Sequence, residues 1–504
     1  MKKITKEPVS VKIVSEEILT QGENKGEKDV NVSLDGSKLC VTLHNAKVSF
    51  VYVTFPRDFS EDAYIYGDDF ERGYGDLRFE KNRKDALYWY YIATDNGRHF
   101  AGGVKTQPNA LCAWRVRPDC VELVCDLRSG TDPLEFDGTL ELCELVFAEG
   151  DGDLHAFCHD FCKSLAVNAR TVDRPVFGAN DWYCNYGNNS YDKIIRMAKF
   201  TTRCAKGLPY KPYVVVDDGW QINRHDGFIG GEWDTPNERF GDMAKLAKEI
   251  TDMGAIPGLW FRPLQSKKNL PDECFTNKRD HLLDPSHPIV LETVAEDIKR
   301  FYSWGFRVVK YDFVTIDVFG CWGNNMSRDN FADEYHFFDK TKTTAQIIKN
   351  FYKTIRDAAP DDLILLGCNA IGHLAVGYID MQRTGDDTSG RDWSRTRKMG
   401  VNTLAFRMMQ HKAFYEADAD CVGLTKDVSL ERNKKWLDVL SKSSTPLFVS
   451  VHDEMQTDEV AELVATAFKN SVKYREASKP IDLLETKMPK KWESEFAADE
   501  YDWE

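Results

Sequence analysis

Val308-Val309-Lys310-Tyr311-Asp312-Phe313 is the stretch on which the reading of this chain turns. It is an apolar run of strand length that ends in a lysine and an aspartate two positions apart. Strand residues i and i+2 project the same way, so Lys310 and Asp312 would leave the strand's C-terminal end together. An ammonium beside a carboxylate lowers the carboxylate's pKa and keeps it ionised at neutral pH, as a carboxylate nucleophile requires. An ordinary salt-bridged strand end fits the six residues equally well, and the flanking chain has to separate the two readings.

Seven more short apolar runs surround this one: Val176–Ala179, Tyr213–Val216, Ile256–Trp260, Leu363–Gly367, Tyr378–Gln382, Lys412–Glu416 and Pro446–Ser450. Helical stretches precede most of them, such as Asp192–Cys204, Met243–Met253, Val290–Trp304 and Thr343–Ala358. Strands alternating with helices predict a parallel sheet of the α/β class. Eight such units over about 300 residues predict a (β/α)8 TIM barrel, placed at residues 175–475. Residues 1–150 read differently: alternating runs such as Val30–Leu34, Leu39–Leu43 and Val121–Cys125 are broken by Asp35-Gly36 and Asn96-Gly97 turns. That texture predicts an N-terminal antiparallel β-sandwich. Residues 151–174 are expected to be a linker helix, and residues 476–504 a polar, acidic tail packed loosely on the barrel.

The chain has 504 residues, 42% apolar and 29% charged, with a net charge of −15. That composition is ordinary for a globular protein, and the acidic balance argues against nucleic acid or an anionic membrane as partner. No apolar run approaches the length of a membrane span, and the basic start is not followed by the apolar stretch of a signal peptide. The 13 scattered cysteines fit reduced thiols better than a disulfide framework, so a cytoplasmic setting is expected. His155, Cys158, His159 and Cys162 share one helical stretch, where four ligands would diverge around the circumference. Tetrahedral zinc usually draws on separate segments, so buried thiols are the reading here.

The strand ends carry the functional signal. Catalytic groups of such barrels sit at the C-terminal ends of strands, and these end in Asn180-Asp181-Trp182, Asp217-Asp218-Gly219-Trp220, Trp260-Phe261-Arg262, Lys310/Asp312, Cys368-Asn369, Arg383–Asp387 and Glu416–Asp420. One Asp-Asp-Gly is turn chemistry, but carboxylates and tryptophans at nearly every strand end describe a cleft. Tryptophan faces pack on pyranose rings while Asp, Arg and Lys hydrogen-bond hydroxyls, so the ligand expected is a small-molecule sugar. There is no Gly-rich nucleotide loop and no His/Glu cluster with metal spacing. Carboxylates on strands four and six suit acid/base and nucleophilic cleavage of a glycosidic bond, with no cofactor or metal.

Val215-Val216-Asp217-Asp218-Gly219-Trp220, Pro257-Gly258-Leu259-Trp260, Val309-Lys310-Tyr311-Asp312 and Arg383-Thr384-Gly385-Asp386-Asp387-Thr388 together resemble glycoside hydrolase family 36, the α-galactosidase family. The resemblance implies Asp312 as nucleophile and Asp387 as acid/base. It also implies that Asp217, Asp218, Trp260, Lys310, Cys368 and Arg383 line the terminal-sugar subsite, with Trp182 nearby. Asp386 rivals Asp387, which is preferred because it directly precedes Thr388. The segment Asn369-Ala370-Ile371-Gly372-His373 lacks the Gly-rich run common in the family, the N-terminal β-domain is short, and too little chain follows the eighth strand for the usual C-terminal β-domain.

The function expected is a retaining exo-α-glycosidase, an α-galactosidase working by double displacement. α-N-Acetylgalactosaminidase and α-galactosyl transglycosylase activities are the enzymatic alternatives, and a catalytically silent carbohydrate-binding protein the non-enzymatic one. The loop Tyr66–Asp76, rich in acids, aromatics and glycines, is expected to cap the sugar pocket through Asp68 and Asp69. In the family such a wall sometimes crosses a subunit interface, which leaves a homo-oligomer open.

Overall fold

The computed structural model describes residues 1–14, 30–83, 85–222, 230–277, 280–326, 336–473 and 477–504. Its N-terminal part is antiparallel, and alternation is the reason. In Lys38–Val48 the side chains of Leu39, Val41 and Leu43 are buried while their neighbours face outward, the two-residue period of a half-buried strand. At the hairpin joining Leu87–Asp95 to Arg98–Val104, Asn96 (φ 50°) and Gly97 (φ 80°) both take the left-handed conformation, as a tight hairpin requires.

Most of these strands form one hydrogen-bonded path, and the sandwich arises because that path curls over itself. Strands Phe50–Pro56 and Leu134–Asp151 are five places apart in the sheet order, yet the rings of Phe55 and Phe147 lie 5.0 Å apart, with Trp114 5.8 Å from Phe147. The long strand Leu134–Asp151 joins the two wings, pairing with Lys38–Val48 and then, past bulges at 136/138 and 141/143, with Arg98–Val104. Bulges bend a strand and tighten its twist. Helix Leu154–Leu165 follows, capped by Asp153 on the Ala156 N–H (2.7 Å), and buries Phe157, Cys158, Phe161, Cys162 and Leu165. Cys158 and Cys162 are therefore core residues, and with His155 and His159 they form no metal-sized cluster.

The second part is the parallel barrel. Its strands are Phe177–Asn180, Tyr213–Val216, Ile256–Phe261, Val308–Tyr311, Ile364–Gly367, Met381–Arg383, a split seventh strand and Leu447–Val451, which pairs back to the first. Helices start on side-chain caps such as Ser190 and Asp242, and at Thr343 on a full capping box with Gln346.

Strand seven corrects the sequence reading. It lies not at 412–416 but at Glu416–Asp418 and Cys421–Leu424, the first piece paired with strand six and the second with strand eight. Asp420, at φ 68°, breaks it, and Lys412, at φ 59°, sits in a turn whose apolar Ala413-Phe414-Tyr415 mimics a strand. Strand six likewise begins at Met381, later than the apolar run suggests. The tail is not loose: Lys479–Pro480, Lys491–Glu493 and Ala498–Glu500 form a small antiparallel sheet, and Trp492 and Trp503 are buried. Trp393 donates its indole N–H to the Trp503 carbonyl at 2.9 Å.

Asp68 and Asp69 are the remaining correction. Asp68 ends the strand Tyr64–Asp68 and meets Arg407 of the barrel, with Nε at 2.9 Å and Nη2 at 2.7 Å from Oδ1, while Gln410 donates to its other oxygen at 2.6 Å. Both members are buried, and neither Asp68 nor Asp69 lines the sugar-sized cavity described below. Asp68→Ala would leave the Arg407 cation buried without its partner, a loss of about 3–5 kcal/mol. A clear fall of the thermal midpoint in calorimetry is expected; an unchanged midpoint would contradict this docking role.

Candidate active site

A cavity of about 510 Å³ opens at the C-terminal ends of the barrel strands, within the range of small-molecule sites. Strands two, three and four bring Asp217, Asp218, Trp260, Lys310 and Asp312 to it. The connections after the strands add Trp182, then Phe313, Trp322, Asn324 and Asn325, then Asp386, Asp387, Arg395 and Met399. Arg72 and Tyr74 reach in from the N-terminal domain.

Lys310 and Asp312 both line this cavity, but the lysine's ion pair is with Asp217 (Nζ to Oδ2, 2.7 Å) and not with Asp312. The strands explain this: Lys310 pairs in register with Trp260 on strand three, and Asp217 stands at the end of strand two beyond it. Asp217 also accepts from Asn180 Nδ2 at 2.6 Å and from the Asp218 N–H at 2.9 Å. Burial works against the Lys310 ammonium, but Asp217 holds its pKa well above the ordinary value. Asp312 accepts from the Trp260 indole N–H at 3.3 Å and from the Phe313 N–H at 2.8 Å. Phe313 takes φ 64°, so the backbone directly after Asp312 is held in a strained left-handed conformation. That turn presents the Asp312 carboxylate to the cavity.

Asp387 is in a different environment. Its side chain is about 35% exposed, yet it stands deep in the molecule where the exposure is to the cavity. Burial raises its pKa, opposed by Arg383, whose Nη2 is 3.4 Å away. Its rival Asp386 is gripped by Arg72 Nη2 at 2.7 Å and Arg395 Nη2 at 2.6 Å. Although burial pushes Asp386 upward, Arg72, the Asp387 N–H and Arg395 bring its pKa below the ordinary value. Of the two aspartates, Asp387 is the one whose pKa is raised and whose ion pair is the looser.

Cys368 and Arg383 stand behind the cavity and do not line it. Arg383 donates to Cys368 Sγ at 3.3 Å and to Asp420 Oδ2 at 2.8 Å, and the same Asp420 oxygen accepts from the Thr388 N–H (2.9 Å), the Thr388 hydroxyl (3.0 Å) and the Tyr183 hydroxyl. Burial tends to raise the Asp420 carboxyl, but Arg383 and Lys310 hold it below its ordinary value. Asp420 thus fixes the residue after Asp387, a role hidden in the sequence by the break in strand seven. Arg395, Met399, Trp322, Asn324 and Asn325 belong to no motif and were not legible. Arg72 and Tyr74 lay inside the acid- and aromatic-rich loop, which does reach the cavity, through different residues from those expected.

Among the described residues, the cluster of metal-capable side chains is Cys112, Cys125 and Cys143 in the core of the β-domain, none of them lining the cavity.

Residues 139–298 match the Melibiase family model, a segment that covers Asp217, Asp218 and Trp260 and ends before Asp312. The whole chain superposes on solved α-galactosidases at low sequence identity. One from Thermus thermophilus, in complex with p-nitrophenyl α-D-galactopyranoside, aligns at TM-score 0.63 and 15% identity over 99% of this chain and 98% of its own. The family 36 enzyme AgaA from Geobacillus stearothermophilus, in complex with stachyose, aligns at TM-score 0.59 and 14% identity, covering 94% of this chain and 74% of its own. An α-galactosidase from Lactobacillus brevis aligns at TM-score 0.57 and 15% identity, over 94% and 71%. A melibiase-like segment over residues 139–298 thus sits within a chain that shares its fold with solved α-galactosidases.

Proposed function

We propose that the chain is a retaining exo-α-galactosidase. The observation that carries this is the difference between its two cavity carboxylates. Asp312 is oriented by two N–H donors on a rigid turn, while Asp387 is raised by burial and has only a long contact to Arg383. Asp312 attacks the anomeric carbon while Asp387 gives its proton to the departing glycosidic oxygen. Asp387 then takes a proton from water as that water opens the glycosyl–Asp312 ester, and two inversions give net retention. Lys310, Asp217, Asp218 and Trp260 hold the terminal sugar, with Trp182 closing one side. Arg72 and Tyr74 wall the cavity from the N-terminal domain, which suits an exo mode. Galactose is favoured because the Thermus thermophilus relative is seen with a p-nitrophenyl α-galactoside and also with stachyose. Thirteen free thiols suit a reducing, cytoplasmic setting.

Asp312→Asn should abolish turnover of every α-galactoside, because an amide cannot form the ester; near-normal steady-state rates would contradict the assignment. Asp387→Ala should slow hydrolysis by about 10²- to 10⁴-fold, and azide should restore turnover of activated substrates by attacking the glycosyl-enzyme without base assistance. Failure of azide to do so would leave Asp387 a structural residue.

Two solution measurements test the mechanism further. Proton NMR of the first sugar released should show the α-anomer, and initial β-anomer would exclude a covalent intermediate. In kcat/KM profiles the acid must be protonated, so activity should fall as pH rises through the raised pKa of Asp387, and that basic limb should vanish in Asp387→Ala. A nitrophenyl α-glycoside panel, with and without a sugar acceptor, separates galactosidase from N-acetylgalactosaminidase, transglycosylase or inert binder.

A further inference from the structure

The two halves of this site are built by different parts of the chain. Everything that holds Asp312 belongs to the barrel: Trp260, Phe313, and the Phe261 carbonyl that accepts its N–H at 3.1 Å. Asp387 is held otherwise. The N-terminal loop lies against the end of strand six as a small parallel bridge, with the Gly73 N–H on the Thr384 carbonyl at 2.8 Å and the Asp386 N–H on the Gly73 carbonyl at 3.0 Å. The approach is close enough that only glycines fit: a Cβ on Gly73 would come 2.9 Å from Thr403 Cγ2, and one on Gly385 would come 2.1 Å from the Met399 carbonyl oxygen. Beside this bridge, Arg72 clamps the Asp386 carboxylate at 2.7 Å, and that carboxylate accepts the backbone N–H of Asp387.

Arg72 is poorly explained as a stabilising residue. It is buried, flanked by Trp322 at 5.3 Å and Tyr74 at 5.9 Å, and its Nε–H has no partner within the protein. An orphaned donor on a buried cation carries a desolvation cost that a well-packed apolar side chain would avoid. Its Nη2 instead grips the Asp386 carboxylate next to Asp387, while Nη1 points at Cys368 Sγ at 3.8 Å.

We propose that Arg72 is a positioning residue for proton donation: through Asp386 and the Gly73–Gly385 bridge, the N-terminal domain sets the acid/base, while the barrel alone sets the nucleophile. This rests on the reading of Asp387 as acid/base. In the first step the proton leaves the Asp387 carboxyl for the glycosidic oxygen as the C1–O bond breaks and the C1–Asp312 ester forms. Only the proton transfer depends on Arg72. Loss of the clamp must therefore hurt substrates in proportion to how much their leaving group needs that proton.

The test compares kcat/KM for melibiose, whose leaving sugar needs protonation, with that for 2,4-dinitrophenyl α-galactoside, whose leaving group does not. Arg72→Met and Asp386→Asn should lower kcat/KM for melibiose by about 100-fold, the lower end of general-acid contributions, with dinitrophenyl galactoside within about threefold by the same reasoning. Arg72→Lys keeps the charge without the fork, is the variant least disturbed in folding, and should fall between. Azide should raise the dinitrophenyl kcat of all three. Equal losses on both substrates, or no loss on melibiose, would overturn the proposal. Asp387→Ala serves as control: if it lacks the leaving-group dependence, the acid/base reading itself fails; if it shows the dependence and the Arg72 and Asp386 variants do not, only the positioning role fails.

Discussion

The buried contact between Arg407 and Asp68 is the interaction on which the rest of the molecule hangs. One guanidinium, with five N–H donors in a fixed fork, joins three pieces of chain. It holds Asp68 at the end of a β-domain strand, donates to the Glu71 carbonyl in the loop that follows, and reaches the Thr384 carbonyl at the end of barrel strand six at 3.0 Å. The loop is pinned a second time by Glu71, whose carboxylate accepts from Asn369 and from the Gly323 N–H at 3.0 Å. Directly after these anchors, on either side of the Gly73–Gly385 bridge, Arg72 and Tyr74 face the barrel mouth. The N-terminal domain is thus a wall of the site, and its core packing and the cavity's shape are one problem.

Around the mouth, the close ion pairs fall on carboxylates other than Asp312 and Asp387. Lys310 goes to Asp217, Arg383 to Asp420, and Arg72 and Arg395 to Asp386. Asp312 is held by N–H donors instead, and Asp387 has only the longer 3.4 Å contact to Arg383. This partition has a physical logic for the acid, since a carboxylate locked to a guanidinium is held too firmly anionic to donate a proton. The neighbours absorb the positive charge and in return fix the backbone on either side of Asp387, Asp386 from before and Asp420, through Thr388, from after.

What the sequence showed follows from what is local. Strand ends, helix caps and the Asn-Gly hairpin are set by residues within a few positions, so the barrel, the β-domain and the motif aspartates were legible. Partners across space were not. The i, i+2 rule brought Lys310 and Asp312 to the same cavity correctly, but said nothing of Asp217 on the next strand but one, which takes the ammonium. Asp68 and Asp69 looked like loop acids because nothing near them announces Arg407, more than three hundred positions later. Strand seven was misplaced because Ala413-Phe414-Tyr415 is as apolar as a strand, while the true strand is carboxylate-rich and broken. The tail read as loose from its charge, although its anchors are two tryptophans that composition alone does not weigh.

The central claim, that this site forms a covalent sugar ester on Asp312, is tested most directly by trapping it. A slow fluorinated α-galactosyl substrate, incubated with the wild-type protein and followed by proteolysis and peptide mass spectrometry, should leave one sugar on the peptide that contains Asp312. Turnover of the probe with no labelled peptide, or a label on the peptide containing Asp386 and Asp387, would contradict the account.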